Sequence, residues 1–270
     1  MAAWVSVLGC GWLGFPLAVR LLKEGYQLRG STTSPQKINV LENAGVTPYQ
    51  ITYHPSQKTN VQDFFQSEVL FLNIPFRRGL TDPSLYALQI ESVIEDAKKG
   101  SIKSLIFTSS TAVYPEHLKA AKEEADFIPV DGRARVLFDV ERKLLVQKSF
   151  ATTIVRFGGL YGQGRPIGKF LAGKTDIADP HKPVNLIHLD DCVEIVTRLI
   201  RKGAYSGVLN AVSDRHPTRQ ELYTKAARSL GLRPPTFLEQ KIQQDYKVVS
   251  NDKLKKALDY HFIHPDPMTL

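Results

Sequence analysis

The chain has 270 residues, of which 43% are hydrophobic and 23% charged, a composition that excludes a disordered chain and allows a sizeable core. Only two cysteines, Cys10 and Cys192, exclude a disulfide scaffold and a cysteine-based zinc site, and they indicate a reducing, cytoplasmic compartment. The net charge of +8 forms no long basic run, and no stretch approaches the ~20 apolar residues of a membrane helix, so we expect no nucleic acid and no membrane as partner.

Short apolar runs alternate with helical patterns along the first 110 residues. The runs are continuously apolar, which is typical of strands buried on both faces of a parallel sheet. Strands are predicted at 4–8, 26–30, 49–53, 69–74 and 104–108, and helices at 13–22, 35–44, 61–65 and 85–97. This alternation predicts right-handed βαβ crossovers.

The alternation loosens after Ser109. A polar loop over 114–132 is followed by predicted helices at 133–147, 190–201 and 218–230, and by predicted strands at 152–157, 184–187 and 207–211. No internal repeat interrupts this order. The fold class predicted from all elements is α/β, with a doubly wound parallel sheet.

A glycine-rich turn joins the first predicted strand to the first helix. Its residues are Gly9, Cys10, Gly11, Trp12, Leu13 and Gly14, in the pattern G-x-G-x-x-G. Because such a turn aims backbone N–H groups and the positive end of a helix dipole at one point, it predicts binding of a dinucleotide pyrophosphate. The first glycine allows the tight turn, the second lets the backbone approach the phosphates, and the third lets helix and strand pack closely. The predicted cofactor is therefore NADP or NAD.

The end of the second strand bears on the choice between these cofactors. An acidic residue there would bind the ribose 2′-hydroxyl of NAD and repel a 2′-phosphate. The segment contains no acid, and Arg29, Ser31, Thr32 and Lys37 offer cations and hydroxyl groups instead. We therefore predict a preference for NADP, with NAD as the alternative.

The position of the glycine turn indicates which part of the chain binds the cofactor and which part binds the substrate. We expect a Rossmann sheet whose NAD(P)-binding domain spans 1–160, while 161–270 completes the sheet and forms a small C-terminal substrate lobe within a single structural unit. Asn73 and Pro75, after the strand at 69–74, are predicted to contact the cofactor. Arg77 and Arg78 are candidates for contacts with an anionic group. A small-molecule substrate is the expected partner, and the oligomeric state stays open.

A second motif, Gly168 to Thr175, matches the phosphate-binding pattern G-x-x-x-x-G-K-[ST]. A functional loop of this kind must connect a buried strand to a helix. Here a glycine-rich loop precedes the motif, and an acidic stretch closed by Pro180 follows it. We therefore interpret the match as a coincidence rather than as an ATP site.

Five further segments carry a resemblance to a known family. They are I-F-T-S-S-T-A-V-Y at 106–114, V-R-F-G-G-L-Y-G at 155–162, N-L-I-H-L-D-D at 185–191, G-V-L-N at 207–210 and N-D-K-L at 251–254. Together they resemble the extended short-chain dehydrogenase/reductases, the NAD(P)-dependent epimerase/dehydratase family. The G-x-G-W-L-G opening and the A-G-K-T stretch are similar to its atypical, bacterial YeeZ-like subgroup. The resemblance implies a hydride-transfer oxidoreductase or epimerase acting on a small, sugar-like or anionic substrate.

Two features depart from that family. Its usual opening is G-x-x-G-x-x-G, whereas Leu8 takes the first of those positions here, as in the β-hydroxyacid-type dehydrogenases, a second alternative. The predicted strands near Val184 and Val208 argue against that alternative, whose remaining chain would be almost wholly helical. The family's reaction also uses a Tyr and a Lys four residues later, and none of the ten tyrosines has that spacing.

Aligning the helix at 133–147 on Glu141 places Arg133 at the Tyr position of the family and Leu137 at the Lys position. Ser110 matches the family's catalytic Ser/Thr. We expect a catalytic role for Ser110, and consider Tyr114 and Tyr161 as alternative proton donors. The missing pair keeps a non-catalytic NAD(P)-binding sensor or regulatory protein open as an alternative.

The histidines predict no metal site. His261 and His264 are too few to bind a metal by themselves, and His188 is expected to pack structurally. The predicted set of metal ligands is therefore empty.

Overall fold

A computed structural model describes residues 3–53, 61–76, 82–129, 131–203, 205–239 and 246–269. The strands in these ranges are β1 (Trp4–Leu8), β2 (Gln27–Thr32), β3 (Thr47–Gln50), β4 (Val69–Leu72), β5 (Ser104–Ser110), β6 (Ala120–Ala121), β7 (Ala151–Phe157), β8 (Gly159–Tyr161), β9 (Leu186–His188), β10 (Gly207–Ala211) and β11 (Val248–Val249). The α-helices are α1 (Gly14–Lys23), α2 (Ile38–Asn43), α3 (Ser84–Lys99), α4 (Gly132–Val146), α5 (Leu189–Lys202), α6 (Arg219–Ser229) and α7 (Asp252–Leu258). Short 3-10 helices cover Pro35–Lys37, Gln62–Phe65, Thr111–Val113 and Ile167–Lys169.

Seven strands of the described residues form a parallel sheet in the order β10-β7-β5-β4-β1-β2-β3. In the register of this sheet, Val7 of β1 lies opposite Gly30 of β2 and Phe71 of β4. The chain continues to opposite sides of β1, and ligands of such sheets bind at the carboxyl ends of the strands near this switch point. The predicted α/β, doubly wound Rossmann fold is thereby confirmed.

The continuous apolar runs are buried as expected. In β4, Leu70, Phe71 and Leu72 are fully buried. Ser6 is a buried polar residue of β1, and its hydroxyl group lies 2.7 Å from that of Ser67. Burial of the hydroxyl is tolerated because it has a hydrogen-bond partner.

The boundaries of several elements differ from the predicted ones. The helix predicted over 35–44 is a 3-10 turn followed by the short α2, and β3 begins two residues before the predicted start. The two-residue strands β6 and β11 pair with each other, so no local pattern indicates them. In the described ranges, no helix combines the length and apolar character needed to cross a membrane.

The chain divides into two compact units, each built from several segments. The first unit comprises residues 1–109, 129–155 and 193–208, and the second comprises 110–128, 156–192 and 209–270. The second unit thus contains most of the segment predicted for the smaller lobe, together with residues 110–128.

Candidate functional site

The glycine turn between β1 and α1 has a shape that two of its glycines impose. Gly9 has a φ of +108°, and a Cβ there would lie 2.6 Å from the carbonyl oxygen of Asn73. A Cβ on Gly14 would collide with the carbonyl oxygen of Gly9, because the helix starts directly against the turn. Side chains at these two positions would therefore disturb the protein's own backbone.

Gly11 differs from both of these glycines. It is exposed, and a Cβ there would meet no other atom within 4 Å. The protein itself therefore does not require glycine at this position. The space that a Cβ of Gly11 would fill lies beside the N-terminus of α1. Such a space allows a pyrophosphate to approach the backbone closely.

Polar side chains from neighbouring strands hold this turn in place. The amide of Gly9 donates a hydrogen bond to Ser31 Oγ at 2.9 Å, and Asn73 Nδ2 donates one to the Gly9 carbonyl at 3.1 Å. The backbone amide of Cys10 donates to the Ser31 carbonyl at 2.8 Å. Ser31 and Asn73, which the sequence predicts as cofactor contacts, thus also position the turn.

Other residues predicted to bind the cofactor occupy varied environments. Cys10 is buried, and burial raises the pKa of its thiol to about 12, so the thiol stays protonated at neutral pH. Leu13 is buried, Trp12 is half-buried and Pro75 is exposed. Thr32 is buried and its Oγ1 accepts the backbone amide of Ser34 at 3.1 Å. Arg77 and Arg78 lie outside the described residues.

The position of Arg29 corrects the sequence interpretation. Its guanidinium donates to the carbonyl oxygen of Gln66 at 2.6 Å and to Ser67 Oγ at 3.0 Å, and lies 3.8 Å from the ring centroid of Trp4. Gln66 and Ser67 precede β4, and Trp4 is the first residue of β1, so the Arg29 guanidinium lies at the amino ends of these strands. Because ligands bind at the carboxyl ends, Arg29 is not placed to contact a 2′-phosphate. Lys37, in the 3-10 turn after β2, is exposed.

The helix expected to carry the catalytic pair of the family is α4, in the first unit. The Arg133 guanidinium lies 4.4 Å from the ring centroid of Phe76 and donates to the Phe76 carbonyl at 3.0 Å. Leu137 is buried, so the position aligned with the family's Lys is apolar. Glu141 is also buried, and its carboxylate accepts a hydrogen bond from Ser109 Oγ. The arrangement offers a cation and no titratable Tyr.

Ser110 ends β5 and belongs to the second unit. Its side chain is partly exposed, and its Oγ accepts the backbone amide of Ala112 at 3.1 Å, which caps the following 3-10 turn. A serine hydroxyl that accepts this bond still has a proton to donate. Ser110 can therefore donate a hydrogen bond to an oxygen atom of a ligand.

Tyr114 lies in a buried polar cluster that argues against the predicted role as a proton donor. Its hydroxyl donates to Asn210 Oδ1 at 2.9 Å and accepts from Arg156 Nη1 at 2.7 Å. Burial raises the pKa of Tyr114 despite the neighbouring Arg156 charge. The side chain is 2% exposed, so the hydroxyl serves the packing of the second unit.

A buried lysine that the sequence reasoning missed holds the segment containing Tyr114. Lys247 Nζ donates to the carbonyl oxygens of Thr111 and Tyr114, at 3.2 and 2.9 Å, and lies 3.3 Å from Glu116 Oε1. Lys182 Nζ lies 2.8 Å from the other carboxylate oxygen of Glu116. No local motif marks Lys247, because its partners lie more than a hundred residues away in the sequence.

Tyr161, the other predicted proton donor, ends β8. It is 7% exposed, and burial raises its pKa to about 12. Its ring meets the His188 ring edge-on, with centroids 5.0 Å apart. Burial and charge repulsion from His264 lower the pKa of His188. Tyr161 thus packs against the His188 imidazole.

The segment matching the phosphate-loop pattern has a packing role at its start. Gly168 lies in the 3-10 turn, and a Cβ there would collide with the Ala226 carbonyl oxygen in α6. The amide of Gly173 donates to the Arg233 carbonyl at 2.8 Å. No helix follows the motif within the described residues up to β9, so its surroundings differ from a functional phosphate loop.

Comparison with known proteins supplies relatives for the whole chain, although no protein-family model matches it. The chain is 31% identical to protein YeeZ of Escherichia coli K12 over 269 residues, which covers 98% of each protein. The structure of a putative NAD-dependent epimerase/dehydratase from Methylobacillus flagellatus has a TM-score of 0.77 at 22% identity, covering 98% of this chain and 95% of that chain. A Bacillus cereus UDP-glucuronic acid 4-epimerase in complex with UDP-glucuronic acid and NAD has a TM-score of 0.77 at 18% identity, covering 96% and 93%.

Proposed function

This chain belongs to the family of protein YeeZ, and from that premise we propose that it binds NAD(P) and exchanges hydride with a small, sugar-like or anionic substrate. The observation that carries the proposal is the open space at Gly11, since neither the fold nor the turn requires glycine there. When bound, the nicotinamide ring supplies the hydride donor or acceptor. The NAD-bound epimerase of the same fold supports this class of cofactor.

The chain's own residues explain how the dinucleotide would be held. The N-terminus of α1 directs backbone N–H groups and the helix dipole towards the pyrophosphate. Ser31 and Asn73 keep the turn in the required shape through their bonds to Gly9. At the end of β2, no carboxylate repels a 2′-phosphate, and the exposed Lys37 offers a positive charge, so NADP is the proposed preference.

The proposed chemistry does not use a Tyr–Lys pair. Arg133 is permanently charged and therefore suits binding of a substrate anion rather than proton transfer. Ser110 donates a hydrogen bond to a substrate oxygen through the proton that its capping bond leaves available. Proton transfer is assigned to neither side chain, so the proton accompanying the hydride comes from water or from the substrate itself.

A non-catalytic NAD(P) sensor is the second candidate. Two observations favour it: Leu137 is apolar where the family has its Lys, and the Tyr114 hydroxyl is enclosed in a buried cluster. A protein that only reports the cofactor needs the glycine turn but no proton-transfer group.

Replacing Gly11 by Ala tests cofactor binding directly. The added Cβ meets no protein atom, so the variant should unfold at the wild-type urea concentration, whereas NADPH affinity should fall about tenfold or more. Gly132→Ala is a matched control, because a Cβ at that helical position also has no neighbour within 4 Å. Fluorescence titration with NADPH would contradict the proposal if Gly11→Ala and Gly132→Ala bind equally well.

Turnover separates the two candidate functions. NADPH oxidation is measured with a panel of carbonyl compounds and nucleotide sugars. One series uses protein and NADPH at a 1:1 molar ratio, and a second uses protein far below the NADPH concentration. An enzyme should show multiple turnovers that Ser110→Ala slows, while its NADPH affinity stays unchanged. Tight binding without turnover on any substrate, unaffected by Ser110→Ala, would favour the sensor.

A further inference from the structure

Two histidines and an aspartate meet in the second unit, outside the proposed cofactor site. His188 ends β9, Asp190 lies in the first turn of α5, and His264 follows α7 near the end of the described chain. One ligand atom of each residue lies within 4.8 Å of the other two. Asp190 Oδ2 is 3.3 Å from His188 Nδ1 and 3.0 Å from His264 Nε2.

These distances match the donor spacing of a metal site. Zinc binds imidazole nitrogen and carboxylate oxygen at 2.0–2.2 Å, so the donors of a tetrahedral site lie about 3.4 Å apart. Asp190 Oδ2 already has this spacing to both imidazoles. Two imidazoles and one carboxylate are a set that suits Zn²⁺ and neighbouring transition metals, whereas Mg²⁺ and Ca²⁺ prefer oxygen ligands alone.

The surrounding residues hold the three ligands in place. Asp191 is fully buried, and its carboxylate accepts the Tyr260 hydroxyl at 2.7 Å and the backbone amides of Ile263 and His264 at 2.7 and 3.0 Å. These bonds fix the backbone that carries His264. The His188 ring packs between Tyr161 and His264, with centroid distances of 5.0 and 3.7 Å. Metal sites depend on outer contacts of this kind for the orientation of their ligands.

One existing contact would change when an ion binds. The backbone amide of Asp190 lies 3.2 Å from His188 Nδ1 and donates to it. An ion bound at Nδ1 would take the same lone pair, so this bond must be given up. The amide belongs to the first turn of α5, where backbone N–H groups have no partner within the helix and can be satisfied by water.

We propose that His188, Asp190 and His264 bind a divalent transition metal, with Zn²⁺ as the reference ion. The three ligands leave the exposed side of Asp190 open, so a water molecule or a small anion would complete the coordination. This proposal departs from the sequence-based expectation of no metal ligands, which considered His264 with its sequence neighbour His261 and not with the distant His188.

Metal titration of the full chain tests the proposal without any dinucleotide. The protein is first treated with EDTA and dialysed, then titrated with ZnCl₂ by calorimetry and with CoCl₂ by absorption spectroscopy. We expect one equivalent of Zn²⁺ to bind, and bound Co²⁺ to show the intense visible bands of a tetrahedral site. Failure of the wild type to bind one equivalent would overturn the proposal.

Ligand variants locate the bound ion. Asp190→Asn and His264→Gln should each lower the Zn²⁺ affinity by about tenfold or more, since loss of an outer-shell partner alone has effects of that size. His261→Gln is the matched control, because His261 is exposed and three residues away in the sequence. Equal affinities in all three variants would overturn the site. Should His264→Gln fail to fold, Asp190→Asn decides, because Asp190 is largely exposed.

Discussion

The glycine turn after β1 and the segment at 111–116 after β5 are held in place by opposite kinds of contact. The turn depends on the absence of side chains, and its contacts come from the backbone and from short polar groups such as Ser31 and Asn73. The segment after β5 depends on one long side chain, because Lys247 reaches two of its carbonyl oxygens and Glu116. Both segments follow a buried strand of the same sheet.

This difference has a physical consequence for substitution. At the turn, a Cβ added at Gly9 meets the Asn73 carbonyl oxygen and a Cβ added at Gly14 meets the Gly9 carbonyl oxygen, so either substitution must displace backbone. At the second segment, removing the ammonium group takes away the hydrogen bonds that Lys247 donates to the Thr111 and Tyr114 carbonyl oxygens, while the backbone keeps its space. Substitutions in the glycine turn therefore destabilise the protein by overpacking, whereas substitution of Lys247 destabilises it by loss of hydrogen bonds.

The largest effect is expected for Gly14→Ala. Its Cβ collides with the Gly9 carbonyl oxygen, and overpacking of this kind costs about 3 kcal/mol of the free energy of unfolding. Urea unfolding of Gly14→Ala and Gly11→Ala measures the contrast within one motif. The explanation fails if both variants unfold at the same urea concentration, because only Gly14 is closed in by protein atoms.

The same contrast explains how far the sequence could predict the structure. The turn was predictable because its pattern, the strand before it and the helix after it are neighbours in the chain. Three other features depend on residues that are far apart in sequence. They are the pairing of β6 with β11, the contacts of Lys247, and the proximity of His188 to His264. Arg29 shows a third limit: its strand was predicted, but which end of that strand its long side chain would reach could not be read from residue type.

The next effect in size is expected for Lys247→Met, which keeps the stem of the side chain and removes the ammonium group. Hydrogen bonds to charged groups contribute about 2 kcal/mol. Here the Tyr114 carbonyl loses Lys247 as its donor, and the Thr111 carbonyl loses Lys247 but retains the backbone amide of Tyr114. Lys225→Met is the control, because Lys225 is exposed and its ammonium group donates to the Met268 carbonyl at the surface. If both variants unfold at the same urea concentration, the hydrogen bonds of Lys247 do not stabilise the protein.

A smaller, pH-dependent effect is expected at Glu116. Burial acts to raise the pKa of this carboxyl, but the hydrogen bonds and charges of Lys182 and Lys247 outweigh it and lower the pKa below 4.5. A lowered folded-state pKa adds stability above the unfolded pKa, and this stability is lost as the pH falls through the folded value. The side chain is 56% exposed, so the contribution should stay below about 1 kcal/mol.

Unfolding of wild type and Glu116→Gln between pH 7 and pH 3 measures this contribution. The wild type should be the more stable protein at pH 7, and the difference should shrink below pH 4.5. A difference that stays constant over the whole range would show that the carboxylate charge does not stabilise the segment.

The smallest effect is expected for Arg29→Ala in cofactor discrimination. Its guanidinium is bound to Gln66 and Ser67 at the amino ends of the strands, so the ratio of NADPH to NADH affinity should change by less than about twofold. Lys37→Ala should lower that ratio by about threefold, the size expected for one exposed charge near a phosphate. Paired fluorescence titrations of both variants with both cofactors measure the two ratios. If Arg29→Ala lowers the ratio and Lys37→Ala does not, the guanidinium must leave Ser67 when the cofactor binds, and cofactor choice would rest on Arg29 as the sequence first suggested.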